Sequence, residues 1–186
     1  MDEYITLQLF GHTRSYVTVW RYLPGNDAEL RNEYIIICAH DDHIAFRERS
    51  NGVCIFNGAD DNASGTATMI EVARQLATRR GELLRTVVFV AFDGEELGLY
   101  GSQEMAGASD IENVKFMASI DMVGWLSTAG KLTIKGSGRI RDNHEIFGTP
   151  TGLRIKLQQR DTSILTGPTP DPFAVAGIPA VPVTTG

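Results

Sequence analysis

One design, used three times, limits what this chain can fold into: a short, unbroken apolar run that stops at acidic or imidazole side chains. The runs are YIIICAH (Tyr34 to His40), TVVFVAF within Arg85 to Asp93 and leading to Glu95 and Glu96, and FMASID (Phe116 to Asp121). None alternates apolar with polar residues, so each reads as a strand covered on both faces. Between the first two, Ser64 to Arg79 sets Ala67, Ile70, Ala73, Leu76 and Ala77 at helical spacing. Arg79 and Arg80 suit the C-terminal end of its dipole, and Gly81 supplies a stop. Strand, helix, strand predicts a parallel sheet, and a parallel sheet predicts chemistry in the crevice beyond the carboxyl ends of its strands. All three polar clusters fall on that edge.

Outside this frame, Leu132 to Lys135 and Ala180 to Thr184 read as further strands and Asp142 to Gly148 as a short helix. Thr13 to Leu23 alternates as an edge or hairpin strand and LPGND makes a turn. With 186 residues and no internal repeat, one domain spanning 1–186 is expected. The balance of 17 basic against 23 acidic residues, a formal charge of -6, argues against nucleic acid or an anionic membrane as partner. No apolar run approaches the roughly 20 residues of a membrane-spanning helix, and MDEYITLQLF lacks the features of a signal peptide. Cys38 and Cys54 have no metal-binding spacing, and Cys38 is expected to be free and buried.

The residues at the strand ends are of the types that can hold cations, although each taken singly also reads as a solvated strand end, a helix cap or a loop acid. His40 and Asp42 are two apart, so in an extended chain they share a side, with Asp42 placed to orient the imidazole and His43 facing the other way. NGADDNASG sets Asp60 and Asp61 side by side before the helix, although Ser64 or Asn62 alone would cap it. A cation relieves that repulsion. Glu95 and Glu96 form a second adjacent pair, in which one carboxylate can bind metal while its neighbour handles the proton of an activated water. Asp121 closes the third run. One imidazole among several carboxylates is a donor set that suits zinc or another first-row divalent metal.

AHDDH, GADDNASG, FDGEELGLYGS and IDMVG, in that order from Tyr34 to Gly124, together with PFAVAGIPAVPVTTG at Pro172 to Gly186, resemble the co-catalytic zinc aminopeptidases related to aminopeptidase Y, aminopeptidase S and bacterial leucyl aminopeptidase. The resemblance implies an α/β three-layer sandwich with a central mixed, mostly parallel sheet flanked by helices. It implies two zinc ions, with His40 and Asp121 on one, Glu96 on the other, Asp60 bridging, Glu95 as general base and Asp42 supporting His40. It further implies a cis peptide between Asp60 and Asp61, peptide substrates with a free N-terminus, and a secreted or periplasmic location.

The match departs from the family in two places. A Ser-Asp-His motif is expected just before PF, where this chain reads GPTPDPF, so in the simplest register Pro170 stands in place of the last zinc-binding histidine. Proline has no side-chain donor, which leaves Asp171 as the nearby substitute and one zinc as an alternative to two. The stretch from Asp121 to Pro172 is also short, and relatives continue beyond TTG, so the domain reads as shortened at its C-terminal end. Two other readings follow. One is a catalytically impaired metal-binding or interaction module on the same fold. The other is a single-zinc glutaminyl cyclase, which needs the histidine this chain lacks.

Overall fold

The computed structural model of the protein describes residues 2–9, 12–108, 110–148, 152–159 and 171–186. Pro170 lies outside them. Ten strands are present among the described residues: β1 (Asp2–Leu9), β2 (His12–Leu23), β3 (Tyr34–His40), β4 (Phe46–Arg49), β5 (Gly52–Ile55), β6 (Thr86–Phe92), β7 (Val114–Ile120), β8 (Leu132–Lys135), β9 (Ile155–Gln158) and β10 (Ala180–Thr184). Eight of them make one sheet in the order β1-β2-β6-β3-β7-β10-β8-β9, and β4 and β5 form a separate hairpin. The centre of the sheet is parallel, β3 pairing with β6 and β7, and β10 with β7. The antiparallel pairs β1–β2, β2–β6 and β8–β10 widen it on both sides. Thr13 to Leu23 is therefore a hairpin strand, but it lies inside the sheet because β1 takes the edge.

The three apolar runs are the central strands, and their lack of alternation has the expected cause. Ile36 and Cys38 of β3 join Val90, Phe92 and Met117 in a core on one face of the sheet. Ala39, with Ile35 and Ile37 beside it, joins Val87, Phe89 and Ile120 on the other. The second face is covered by α1 (Gly65–Thr78). It buries Met69, with Val72, Ala73 and Leu76 packed alongside, a spacing of three and four residues that makes one stripe. Ile70, expected on that stripe, is 61% exposed, and Ala67 and Ala77 are exposed with it. The stripe thus follows helical phase and not side-chain size: Met69, Val72, Ala73 and Leu76 share one face, and Ala67, Ile70 and Ala77 fall outside it. Against the first face lie α2 (Tyr100–Ala106) and a short helix carrying Phe173, which is fully buried and meets Phe92 at 6.1 Å between ring centroids. The remaining α-helices among the described residues are short: α3 (Leu126–Ala129), α4 (Asn143–Ile146) and that Phe173 helix, α5 (Pro172–Val175). Cys38 is buried and free. No described helix is long and apolar enough to cross a membrane.

This architecture delivers His40, the Asp93–Glu96 loop and Asp121 to one edge. His40 is the last residue of β3 and pairs with Phe92 at the end of β6. Asp121 follows β7 directly, its N–H donating to Val183 at 3.0 Å.

Candidate metal centre

The entry to α1 is built as a joint between the helix and the end of β7. Asn62, buried in the wide turn Ala59–Ser64, donates from Nδ2 to the Ile120 carbonyl at 2.9 Å and accepts from the Gly65 and Met122 N–H groups at 3.0 and 3.2 Å. Asn62, not Ser64, therefore supplies the first helical N–H with its acceptor. Gly65 is required here, since a Cβ would run into Asn62 and the Ile120 carbonyl. Asp60 belongs to the same joint: its Oδ1 accepts from the Gly124 N–H at 2.7 Å and from the Ser64 hydroxyl at 3.1 Å. Its carboxylate is engaged there, and Asp61, where Asp60 was expected, is the aspartate whose oxygens approach His40 and His43. The cis peptide lies likewise one residue further on, between Asp61 and Asn62.

Among the described residues, two groups have donor atoms close enough to share a cation: His40 with Asp61 and Asp121, and His43 with Asp61 and Glu96. In the first, His40 Nε2 lies 3.1 Å from Asp61 Oδ1 and 3.6 Å from Asp121 Oδ1. Asp121 Oδ1 is buried and has no hydrogen-bond partner among the described residues, because 3.6 Å is too long for one. An orphaned buried carboxylate oxygen facing an imidazole nitrogen and a second carboxylate fits a divalent cation. In the second group His43 Nδ1 lies 2.6 Å from Glu96 Oε1 and 4.0 Å from Asp61 Oδ2. The sequence reading turned His43 away. It fails because β3 ends at His40 and the strand alternation ends with it.

Asp42 ties the two loops together. Its Oδ1 and Oδ2 accept from the N–H groups of Glu95 and Glu96 at 3.0 and 3.1 Å. Its Oδ1 is also 3.5 Å from His40 Nδ1, which contacts the Asp42 carbonyl at 3.1 Å. With Nδ1 so engaged, Nε2 is the nitrogen that faces Asp61 and Asp121. Burial alone would raise the Asp42 carboxyl, but its hydrogen bonds to His40, Glu95 and Glu96 outweigh this and hold its pKa below the ordinary value. Burial opposes charge on His40 too, yet the nearby Asp121, Asp42 and Glu95 push its pKa up to about 11. The surroundings thus favour a positive charge at this point, which a cation supplies as well as a proton does. Glu95 has its pKa raised as well, first by burial and then by the charges of Asp121, Glu96 and Asp42, which together outweigh the lowering effect of His40. It shares with His40 and Asp121 a cavity of about 250 Å³. A second cavity of about 610 Å³, lined by His43, Glu96, Ile44, Phe46 and Leu97, lies beside the other group.

Asp171 belongs to neither group. Its Oδ1 accepts from the Ala174 N–H at 2.9 Å and caps α5, and burial raises its pKa.

Fold and site together define an α/β domain whose cation donors gather at the carboxyl edge of a mixed sheet. The model of peptidase family M28 matches residues 18–183, and the chain belongs to that family. It is 34% identical over 131 residues to leucine aminopeptidase 1 of Metarhizium robertsii, covering 67% of this chain and 32% of that protein. It is 32% identical over 141 residues to leucine aminopeptidase 1 of Arthroderma gypseum, covering 72% and 36%. The chain thus spans about a third of the length of these curated relatives. Among solved structures it resembles BSAP, a zinc aminopeptidase from Bacillus subtilis, with a TM-score of 0.64 at 24% identity over 94% of this chain and 40% of that one. The LapA aminopeptidase of Legionella pneumophila gives 0.66 at 19% over 100% and 48%. A glutaminyl cyclase from an Acidobacteriales bacterium gives 0.63 at 17% over 99% and 63%. At these identities the likeness is one of fold, and the α/β sandwich is the fold expected from the sequence.

Proposed function

We propose that the protein is a metal-dependent aminopeptidase, with zinc at His40, Asp61 and Asp121 and Glu95 as general base. The observation that carries this reading is the pairing of an orphaned buried ligand oxygen, on Asp121, with a carboxyl of raised pKa, on Glu95, in one cavity. The leucine aminopeptidases among its relatives support the same activity. A cation bound there supplies Lewis-acid polarisation of the scissile carbonyl and lowers the pKa of a water.

The chain's own residues supply the rest. Glu95, with its basicity raised by burial, accepts the proton of that water and delivers it to the departing amine. Asp42 positions Glu95 by taking its backbone N–H, and steadies His40 through Nδ1. Asp61, Glu96 and Asp121 make the site strongly negative, which suits a substrate that carries a protonated α-amino group. Peptides with a free N-terminus are therefore the expected substrate class.

The test is hydrolysis of aminoacyl chromogenic substrates, with zinc per chain measured alongside. Glu95→Ala is expected to lower kcat by about 10²- to 10⁴-fold while the zinc content stays as in wild type. N-acetylated substrates should be inert. A zinc-loaded wild type that turns over none of these substrates would leave a metal-binding module on a peptidase fold and overturn the reading.

A further inference from the structure

Of the two cavities, the one beside His43 and Glu96 is the larger, and its apolar walls take no part in moving a proton. At about 610 Å³ it lies within the range of roughly 300–1,000 Å³ usual for ligand pockets, whereas the cavity of about 250 Å³ around Glu95 falls below it. One wall is rigid. Tyr16 of β2 is buried, packs against Tyr100 at 5.3 Å between ring centroids, and is fitted to Gly94 so closely that a Cβ there would lie 2.9 Å from its ring. The Val17 N–H, donating to Asp93 Oδ2 at 2.8 Å, ties β2 to the loop after β6. The other apolar walls, Ile44 and Phe46 after β3 and Leu97 after β6, are exposed.

This apolar surface continues beyond the cavity. Phe46 pairs with Ile55 across the β4–β5 hairpin, which sets both side chains on one face, and Val53, two residues from Ile55, shares it. All three are at least 60% exposed. Arg47 and Cys54 take the opposite face, where the Arg47 guanidinium lies over the Phe56 ring at 5.9 Å. Single exposed apolar side chains are ordinary, but a contiguous set that runs out of a cavity marks a binding surface.

We propose that this surface receives the departing part of a peptide substrate: the residue after the scissile bond in the cavity against Phe46 and Leu97, and the chain beyond it over Val53 and Ile55. The inference rests on the aminopeptidase reading, and it adds a preference for a bulky apolar second residue. The direction follows from Glu95, which hands its proton to the departing amine. Glu95 lines the smaller cavity with His40 and Asp121, but its N–H is held by Asp42, and Asp42 and Leu97 line the larger one. The scissile nitrogen therefore lies at the border of the two cavities, with the larger open to what leaves.

The experiment measures release of free leucine from the peptides Leu-Xaa-Gly, with Xaa as Gly, Ala, Leu or Phe, by the zinc-loaded chain. Wild type is expected to show kcat/KM at least about 10-fold higher for Leu or Phe than for Gly at the second position. In Phe46→Ser and Leu97→Ser, whose folding is checked by thermal melting, that ratio should fall to about 3-fold or less. Ile55→Ser should lower kcat/KM for Leu-Phe-Val-Phe-Gly relative to Leu-Phe by about 3-fold or more. A wild type with Glu95-dependent hydrolysis but no preference at the second position would overturn the proposal and leave the aminopeptidase reading standing. So would variants that change selection among Xaa-Gly-Gly peptides instead, which would give the cavity to the N-terminal residue. A dimer in sedimentation that Ile55→Ser abolishes would give the hairpin face to a second copy and overturn it as well. Hydrolysis of none of these peptides would remove both readings.

Discussion

His40 and His43 are three residues apart and differ in almost every physical respect. His40 is 6% exposed at the end of a central strand, paired with Phe92 of β6, with Nδ1 held by Asp42 and only Nε2 left for a ligand. His43 is 20% exposed in the loop after β3 and owes its orientation to Phe56 and Gly58. Its partners differ likewise: Asp121 is the next residue after β7, whereas Glu96 stands four residues beyond β6. A strand end fixes a ligand with the sheet itself, while a loop ligand must lose its freedom through local contacts. The first group should therefore bind the tighter cation and the second the one removed first by a chelator.

The most severe challenge to that comparison is the residue the groups share. Asp61→Ala removes a ligand from both, and it is expected to abolish stoichiometric zinc binding and lower kcat by about 10³-fold or more. Asp60→Ala should leave the zinc count unchanged. Its cost falls on the exposed Gly124 N–H, which exchanges the carboxylate for water, and is expected at about 0.5–1.5 kcal/mol of stability by chemical denaturation. If Asp60→Ala lost the metal and Asp61→Ala kept it, Asp60 would return as the bridging residue.

Asp42→Asn ranks next because it acts on both groups through other residues. Asparagine has one oxygen to offer where Asp42 uses two for Glu95 and Glu96, and it no longer complements His40 Nδ1 electrostatically. A loss of about 10- to 100-fold in zinc affinity or in activity is expected, read by competition with a chelator and by kcat/KM. Loss confined to the first equivalent would show that Glu96 does not need Asp42, and would separate the two groups further.

The strands that carry the site were legible because the sheet centre is buried on both faces, and TVVFVAF or YIIICAH cannot be stable as anything exposed. Their acidic ends were legible for the same reason, as charges that follow buried strands. The choice between Asp60 and Asp61 was not legible, since neighbouring aspartates differ only in which backbone N–H groups lie within reach, and the Gly124 N–H that takes Asp60 is far away in sequence. His43 was misread because strand alternation was extended past His40, where pairing has ended. The one signal for it was HDDH itself, with two imidazoles around two carboxylates. The β4–β5 hairpin was missed as well, because its strands are only four residues each and the apolar run of GVCI is too short to be told from a loop.

Asp171 supplies the smallest and most discriminating check. Near the missing histidine it was the expected substitute ligand, and that role would make it, not His43, the partner of Glu96. In the structure it caps α5, a function asparagine performs equally well through its side-chain oxygen. Asp171→Asn should therefore retain every zinc equivalent, and at neutral pH its stability should lie within about 1 kcal/mol of wild type or slightly above it. The sign follows from burial. The folded carboxyl has its pKa raised above the unfolded value, so between the two the native state holds more protons, and the wild type loses stability as pH rises through that window. Asparagine has no such titration, so any advantage of the variant is fully present above the raised folded pKa and fades as pH falls towards the unfolded value. Denaturation at neutral and acidic pH reads the trend. A zinc equivalent lost from Asp171→Asn would transfer the second site from the loop after β3 to the start of α5.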